Sequence, residues 1–253
     1  MHVHRVPVTF PNVPTGSVNA YLLAGESTTL VDPPERHPEL DSLVADHDLD
    51  YVLATHHHSD HAGGVAHYAR EYDATVACRA GRVADFQEAT GIDPDRTYRE
   101  GTTIAGVRVV DTPGHAPDHV AFATPEGLVA GDLAIGEGSV AVAAPEGDMR
   151  AYITSLRRVW ARAPDRIYPG HGPTIEEARA TCERLIAHRR KRERRILDVV
   201  TDGAYTLDTV TDGAYTKDIS AVRDLAVATV EAHIEKLAVE GRLRWDGEEV
   251  RPA

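Results

Sequence analysis

The residues with the clearest chemical meaning form a histidine- and aspartate-rich segment, Thr55–Gly64, directly after a predicted apolar strand. In an extended segment alternate side chains point to the same side, so His56 and His58 could hold one metal ion. Asp60 and His61 follow on the next turn and could face a second ion. Imidazole and carboxylate groups are ligands that zinc accepts in sites that leave room for water. Even with 14 histidines in 253 residues, a chance match to His-x-His-x-Asp-His is improbable, so the pattern indicates a metal site rather than a solvated loop.

Three later segments place a histidine or an aspartate on a turn after a predicted strand, where α/β proteins collect functional side chains. These segments are Thr112–His115, Gly131–Asp132 and Tyr168–Gly172. Each segment alone is typical of a turn or a cap. As a set with the first segment, they predict that His115, Asp132 and His171 join the same site.

Four residues near these segments are assigned structural roles rather than roles as metal ligands. His57 should point away from the metal ions, because it alternates with the two histidines that flank it. His119 begins a predicted strand and is interpreted as a packing or supporting residue rather than a ligand. Asp32 and Asp111 end predicted strands, and the pattern leaves open whether they support the histidines or only form turns.

The elements that must position these residues are short β-rich runs separated by Gly and Pro, with helical patterns between them, over residues 1–174. Predicted strands are Val3–Phe10, Val18–Ala24, Thr28–Val31, Tyr51–Thr55, Thr75–Ala77, Val107–Val110, His119–Ala123, Gly127–Ala130 and Arg166–Tyr168. Predicted helices are Leu40–Asp46, Val65–Tyr72 and Met149–Ala161. Strands mixed with helices over this length predict a layered α/β domain.

Residues 175–253 have a different composition, and we place a domain boundary between residues 174 and 175. Thr174–Glu177 has the spacing of a helix capping box, which predicts a helix that runs to about Val200. A second helix is predicted at Leu225–Glu240, and Arg242–Val250 is typical of a hairpin around an Asp-Gly turn. The hexapeptide TDGAYT occurs at 201–206 and at 211–216, which predicts turns around its two glycines, Gly203 and Gly213. Helices followed by a β-ribbon predict a small winged-helix-like domain.

The charge of the chain limits its partners. Forty acidic and 27 basic residues give a net charge of −13, which argues against simple non-specific binding of nucleic acid. The run His188–Arg195 is the exception, with six bases and one acid. It is typical of a solvated helix face, and it could equally contact an RNA backbone near the mouth of the site.

Several features indicate a cytoplasmic protein with no membrane partner. No apolar run reaches the roughly 18 residues that a membrane span needs, and the first residues contain no apolar signal segment. Cys78 and Cys182 lie far apart in the sequence and are expected to be buried free thiols.

The set of motifs resembles the metallo-β-lactamase-fold hydrolases, whose pattern is HxHxDH followed by His, Asp and His at strand ends. The resemblance implies an αββα sandwich with two zinc ions, or other divalent metals, along one sheet edge. It also implies that His56, His58 and His115 bind the first ion, that Asp60, His61 and His171 bind the second, and that Asp132 bridges them. Two zinc ions sharing a water would supply a hydroxide nucleophile, and Asp60 is the expected catalytic residue that orients it.

A narrower resemblance, to the beta-lactamase-like protein 2 family, covers nearly the whole chain. It rests on the segments 16–22, 112–119, 131–138 and 168–173 and on the basic run that leads into the C-terminal region. It implies metal-dependent cleavage of single-stranded RNA. One departure is Leu30–Pro34, which replaces the Asp-Thr-Gly common in the superfamily and could change the shape of the substrate site.

The metal motif predicts hydrolysis but not the substrate. We expect a phosphodiesterase that acts on single-stranded RNA. One alternative is a thioester or ester hydrolase similar to glyoxalase II, which acts on a small molecule. A second alternative is a winged-helix DNA-binding regulator with a metal-sensing domain, although the helix Leu225–Glu240 carries three glutamates against one lysine. The sequence leaves open whether the C-terminal region is a lid, the contact of a homodimer or a nucleic-acid contact.

Overall fold

The computed structural model describes residues 1–11, 13 and 15–253. The strands, numbered in chain order, are β1 His2–Thr9, β2 Ser17–Ala24, β3 Thr28–Val31, β4 Leu49–Leu53, β5 Thr75–Arg79, β6 Arg96–Tyr98, β7 Thr103–Ile104, β8 Val107–Asp111, β9 Val120–Thr124, β10 Gly127–Gly131, β11 Ile167–Pro169, β12 Leu243–Trp245 and β13 Val250–Pro252. The α-helices are α1 Pro38–Ala45, α2 Ser59–Ala62, α3 Val65–Tyr72, α4 Val83–Thr90, α5 Met149–Arg162, α6 Ala178–Thr201, α7 Leu207–Ala214 and α8 Arg223–Val239.

Two sheets pack face to face around an apolar core. The first has the order β1-β2-β3-β4-β5-β6, with antiparallel pairing from β1 to β3 and parallel pairing from β3 to β6. The second has the order β11-β10-β9-β8-β7 and is antiparallel except for the pair β10–β11. Leu23 and Leu53 of the first sheet share a buried cluster with Phe122 and Val129 of the second. The inward side chains of alternating strand residues therefore join the sheets.

Helices cover the outer face of each sheet. Leu40 of α1, Tyr68 of α3 and Phe86 of α4 pack against the first sheet, whereas Tyr152 of α5 and Leu185 of α6 pack against the second. The predicted αββα sandwich is confirmed. Three elements between residues 83 and 104, α4, β6 and β7, were not predicted.

The sheets are hydrogen-bonded to each other at the edge where β2 and the end of β4 meet β9 and the end of β11. The N–H of Val120 donates to the carbonyl of Thr55 at 2.8 Å, and the N–H of Asn19 donates to the carbonyl of Gly170 at 2.7 Å. These bonds bring the segments that follow β4, β8, β10 and β11 to one side of the sandwich. All the motifs with predicted chemistry lie in these segments.

The C-terminal region builds a second core on the end of α6. That helix has 24 residues; Cys182 and Leu185 pack in the core of the second sheet, whereas Ile196 and Val200 pack with α7, α8 and the ribbon β12–β13. The ribbon is antiparallel and turns at Gly247, as predicted for a hairpin. The domain boundary and the winged-helix assignment stay predictions.

Two local predictions were wrong. Thr174–Glu177 does not cap a helix, because Ile175 forms a two-hydrogen-bond bridge with Ile167 and α6 begins only at Ala178. Gly213 does not form a turn but lies inside α7, where a Cβ would come 2.7 Å from the methyl groups of Val199. Packing of α7 on α6, rather than turn geometry, favours glycine there.

Both cysteines are buried and unpaired, as predicted. Among the described residues, no helix combines the length and the apolar character needed to cross a membrane.

Candidate metal centre

The structure brings His56, His58 and His115 together in a first cluster. The Nδ1 atom of His58 lies 3.0 Å from Nε2 of His56 and 2.9 Å from Nε2 of His115. His56 and His58 come from the segment after β4, and His115 comes from the turn after β8. Three ring nitrogens thus converge on one point from the two sheets.

Asp60, His61 and His171 form a second cluster beside the first. The Oδ2 atom of Asp60 lies 3.7 Å from Nε2 of His61 and 3.6 Å from Nε2 of His171. Asp60 and His61 lie on the one-turn helix α2, and His171 lies on the turn after β11.

Asp132 lies between the clusters and faces both. Its Oδ2 is 3.5 Å from Nε2 of His115, and its Oδ1 is 3.5 Å from Nε2 of His61 and 3.4 Å from Nε2 of His171. All seven predicted ligand residues therefore lie in one continuous group. Their role as metal ligands stays a prediction.

The geometry of the second cluster fits a divalent metal ion. The Nε2 atom of His61 is buried and has no hydrogen-bond partner among the described residues. Its distances to the two carboxylates, 3.5 and 3.7 Å, are close to the separation of about 3.3–3.6 Å between ligands that lie about 2.0–2.2 Å from a tetrahedral ion. Gly170 keeps this space open, since a Cβ there would come 2.5 Å from Oδ1 of Asp132.

Partners outside the two clusters orient the imidazoles. Nδ1 of His115 donates to the carbonyl of Ala141 at 2.7 Å, and Nδ1 of His171 donates to the carbonyl of Ser17 at 2.9 Å. A carboxylate oxygen of Glu146 lies 3.1 Å from Nε2 of His58. Each contact leaves the other ring nitrogen aimed at the centre, as metal-binding histidines require.

Asp32, at the end of β3, contacts both the segment after β4 and the helix α2. Its carboxylate accepts from the N–H of Thr55 at 2.6 Å and from the Thr55 hydroxyl at 2.8 Å, and it lies 3.0 Å from Nδ1 of His61. Its backbone φ is +55°, a left-handed conformation that is uncommon for aspartate. The question left open by the sequence is thus answered for Asp32, which supports His61. Asp111 instead pairs with Arg79 at 2.7 Å, outside the site.

The surroundings of the two clusters shift the pKa values of their histidines in opposite directions. Burial and the neighbouring imidazoles lower the pKa of His56 well below its ordinary value, and burial also lowers the pKa of His115, which favours neutral rings. Burial opposes a proton on His61, but Asp32 and Asp132 outweigh burial and raise its pKa well above the ordinary value. The carboxylates around the second cluster therefore favour a cation, which a metal ion could supply in place of the proton.

Two further histidines near the site, His57 and His119, belong to neither cluster and have different contacts. Nδ1 of His57 lies 2.8 Å from Asp118, and its Nε2 lies 3.2 Å from Glu146, the carboxylate that also contacts His58. The orientation of His57 away from the metal ions stays a prediction. Nε2 of His119 accepts from the N–H of Asp132 at 3.1 Å, so this ring positions Asp132. Burial lowers the pKa of His119 to about 3, which keeps its ring neutral and able to accept that bond.

Side chains of β2 hold the turn that carries His171. Nδ2 of Asn19 donates to the carbonyls of Pro169 and Gly172, at 2.8 and 2.7 Å, and the hydroxyl of Tyr21 donates to the carbonyl of Pro169 at 2.6 Å. The sequence places Asn19 in a predicted strand and in one segment of the family resemblance, but it predicts no role for this residue in the site. The polar Asn19 within an otherwise apolar strand was the available signal. Glu146 carried no signal, since it lies in a loop with no motif.

The centre opens into a cavity of about 380 Å³ between the sandwich and the C-terminal region. His58, Asp60, His115, Asp132 and His171 line its floor. Basic residues of α6 and of the following loop, together with an apolar patch, line the opposite wall. These residues are His188, Arg189, Arg192, Lys217, Ile219, Val222, Leu225 and Ala226.

The basic run of α6 is neither a uniform solvated face nor a uniform contact surface. Arg189 is buried, donates to the carbonyl of Val140 and lies over the ring of Tyr152. Glu193 is buried beside Lys236 at 3.0 Å. The remaining bases point to different sides of the helix, so only part of the run reaches the cavity.

The fold and the position of the site define the class of protein. The model of the metallo-beta-lactamase superfamily matches residues 13–171, more than half of the chain. The chain belongs to the metallo-beta-lactamase superfamily.

Two curated relatives narrow the comparison. A beta-lactamase-like protein 2 homolog of Drosophila melanogaster is 33% identical over 248 residues, which cover 89% of this chain and 84% of the relative. An atrochrysone carboxyl ACP thioesterase of Aspergillus fumigatus is 32% identical over 190 residues, covering 71% of this chain and 58% of that protein.

Solved structures support the same fold. A metallo-beta-lactamase family protein of Thermus thermophilus superposes with a TM-score of 0.81 at 24% identity, covering 99% of this chain and 98% of the other. A protein crystallised in a di-iron-bound form is 32% identical, with a TM-score of 0.59, over 69% of this chain and 96% of that one.

Proposed function

We propose that the protein is a binuclear metal-dependent hydrolase that cleaves phosphodiester bonds of single-stranded RNA. One observation carries the proposal: a single cavity joins the seven-residue centre to a wall with several cationic side chains, in a chain whose net charge is −13. A cationic wall beside a hydrolytic centre favours an anionic substrate. The resemblance to the beta-lactamase-like protein 2 family supports RNA as that substrate.

The residues of the two clusters would hold two divalent ions, which we propose to be zinc. When bound, such ions supply Lewis acidity and a nucleophile at neutral pH. The family relative crystallised with two iron ions supports the number of ions rather than their identity.

The chain's own residues would supply orientation and proton transfer. Asp60 keeps part of its carboxylate exposed to the cavity, 17% of the side chain, and can accept a proton from an attacking water there. His171 and His61 hold that carboxylate from two sides. Arg192 and Lys217 on the opposite wall can attract a phosphate and balance negative charge that develops on it.

A thioester hydrolase is the second candidate, because the same cavity has an apolar part. Ile219, Val222 and Leu225 line it and could contact an uncharged acyl group. The relative named as an ACP thioesterase supports this alternative. The DNA-binding alternative is less favoured, because Leu225, Ala226 and Thr229 of α8 face the cavity rather than a free surface.

Parallel assays with two substrates test the proposal. The metal-reconstituted protein is incubated with a single-stranded RNA oligonucleotide and with S-lactoylglutathione, each with and without a chelator. We expect chelator-sensitive cleavage of RNA and little thioester hydrolysis. Chelator-sensitive hydrolysis of the thioester with intact RNA would overturn the RNA proposal and favour the second candidate.

A further inference from the structure

A second hollow of about 280 Å³ adjoins the active-site cavity along α6. The two spaces adjoin, because four residues line both of them: His188, Arg192, Tyr215 and Lys217. The second hollow is completed by Lys191, Arg195 and Thr216. Together the two adjoining spaces extend from the metal centre along α6, and we call them the path.

The charged side chains that line the outer part of the path are all basic. Lys191, Arg192, Arg195 and Lys217 line the second hollow, and no carboxylate is among its described lining residues. The first 174 residues, by contrast, carry a net charge of −11. Burial, and after it the nearby Arg189 and Arg192, lower the pKa of His188 to about 4.

Arg192 and Tyr215 give the path a defined shape. The guanidinium of Arg192 lies 3.6 Å from the centre of the Tyr215 ring and donates to the carbonyl of Ala214. These contacts fix the cation at the junction of the two spaces, with an aromatic ring beside it. Cationic grooves lined by aromatic rings are the usual binding surface for single-stranded nucleic acids.

We propose that this groove, defined as Lys191, Arg192, Arg195, Tyr215 and Lys217 and called the α6 groove, binds the backbone of the substrate strand on one side of the scissile phosphate. The proposal rests on the proposed function for the identity of the substrate. The hollow that holds the groove is lined by α6 from residue 188 to residue 195, over which the helix extends about 10 Å, so a strand bound there can place more than one phosphate beside the helix. Longer strands should therefore bind better than dinucleotides.

The opposite face of α6 provides a matched control. Arg190 and Arg194 line a separate hollow with Trp160 and Glu183 and do not reach the groove. The double variant Lys191→Ala/Arg195→Ala and the control Arg190→Ala/Arg194→Ala remove the same number of charges from the same helix. A single variant, Lys217→Ala, tests the groove from an element outside α6.

Binding is measured by anisotropy over a range of salt concentrations with a fluorescent phosphorothioate RNA 12-mer, whose linkages keep their negative charge and are hydrolysed slowly. We expect the slope of log affinity against log salt to flatten by about 1.4 in the groove double variant and by about 0.7 in Lys217→Ala, since each lost phosphate contact removes about 0.7. The control should keep the parent slope. Equal slopes in parent and groove variants, or a loss confined to the control, would overturn the proposal.

Catalysis separates this proposal from the proposed function. The ratio of kcat/KM for an unmodified RNA 12-mer of the same sequence to that for bis(4-nitrophenyl) phosphate should fall at least tenfold in the groove double variant and stay at the parent value in the control. If the parent binds the 12-mer through the groove but cleaves no RNA, the groove stands and the proposed function fails. If the parent cleaves RNA and the groove variant keeps both ratio and slope, the function stands and the groove fails.

Discussion

At the scale of single residues, the carboxylate of Asp132 has the most constrained position in the site, because it lies between the two clusters. Its two oxygens face different clusters, at 3.4–3.5 Å from three histidine nitrogens. The backbone N–H of Asp132 donates a hydrogen bond to His119, and Gly170 lies close to the carboxylate. Asp132 therefore has little freedom to move. Its loss should therefore disturb both clusters at once.

The substitution Asp132→Ala tests this position. We expect less than two equivalents of retained metal and a loss of hydrolysis greater than about 100-fold, because changes to supporting residues alone cost about 10–100-fold. Elemental analysis after reconstitution and the hydrolysis of bis(4-nitrophenyl) phosphate measure the two effects. Asp111→Ala is the control, since this carboxylate also ends a strand but pairs with Arg79. Full metal content and activity in Asp132→Ala would show that it is not a ligand.

The buried ring of His233 in α8 should make the stability of the protein depend on pH. The ring is fully buried, and neither of its nitrogens has a hydrogen-bond partner among the described residues. Burial, reinforced by Arg189, Arg192 and Lys236, lowers its pKa well below the ordinary value. The unfolded chain binds this proton from about pH 6.5 downward while the folded chain does not, so folding loses stability as the pH falls.

We expect His233→Leu to remove this sensitivity. The free energy of unfolding of the variant should exceed that of the parent by a margin that grows by up to about 1.4 kcal/mol for each pH unit below about 6.5. Urea denaturation between pH 7 and pH 5 measures the margin. A margin independent of pH would mean that the buried ring accepts a proton within the folded protein.

At the scale of elements, the site depends on contacts between segments that are distant in sequence. The turn after β11 carries His171, yet Asn19 and Tyr21 of β2 bind its carbonyls. We expect Asn19→Ala to lower metal affinity about 10–100-fold through the displaced His171, besides costing about 1–3 kcal/mol of stability. Competition with a chelating dye measures the affinity.

Asp95→Ala is the control for this substitution. Its carboxylate accepts from the N–H of Val76 at 2.8 Å, in the same sheet but away from the metal centre. It should lose comparable stability and keep the parent metal affinity. Equal losses of affinity in both variants would mean that general destabilisation, not the position of His171, weakens the site.

The elements themselves differ in how well the sequence predicts them. β3 and α3 have the predicted bounds, and the other predicted strands agree to within about two residues, because strand periodicity and Gly or Pro punctuation are local signals. All seven candidate ligands follow or lie near strand ends, so their grouping could be predicted from motif and position. Gly213 and Thr174 were misread because packing against Val199 and pairing with Ile167 override local turn and cap preferences.

Other parts of the site had no local signal. Glu146 acts on His58 from a loop 88 residues away, and nothing in its sequence neighbourhood marks it. The cavity wall depends on how α6 and α8 pack against the sandwich. A contiguous run of bases cannot show that Arg189 is buried while Arg190 faces away from the cavity.

At the scale of the whole molecule, the excess of acidic groups should make stability depend on salt. Charges that repel across the surface act over about 10 Å at 0.1 M salt and about 3 Å at 1 M. We expect Tm to rise between 0.1 and 1 M NaCl, by about 2–4 °C for each kcal/mol of repulsion that is removed. Thermal unfolding followed by circular dichroism measures the change. A falling Tm would mean that attractive ion pairs outweigh the repulsion.

The length of α6 has a consequence for how this protein could diversify. The helix extends about 36 Å and belongs to one core at its start and to another at its end. The floor of the cavity is complete by residue 171, whereas the opposite wall begins only at residue 188. Selection, in nature or in a mutant library restricted to residues 188–229, can thus exchange one wall and recruit new substrates while the hydrolytic apparatus is inherited unchanged.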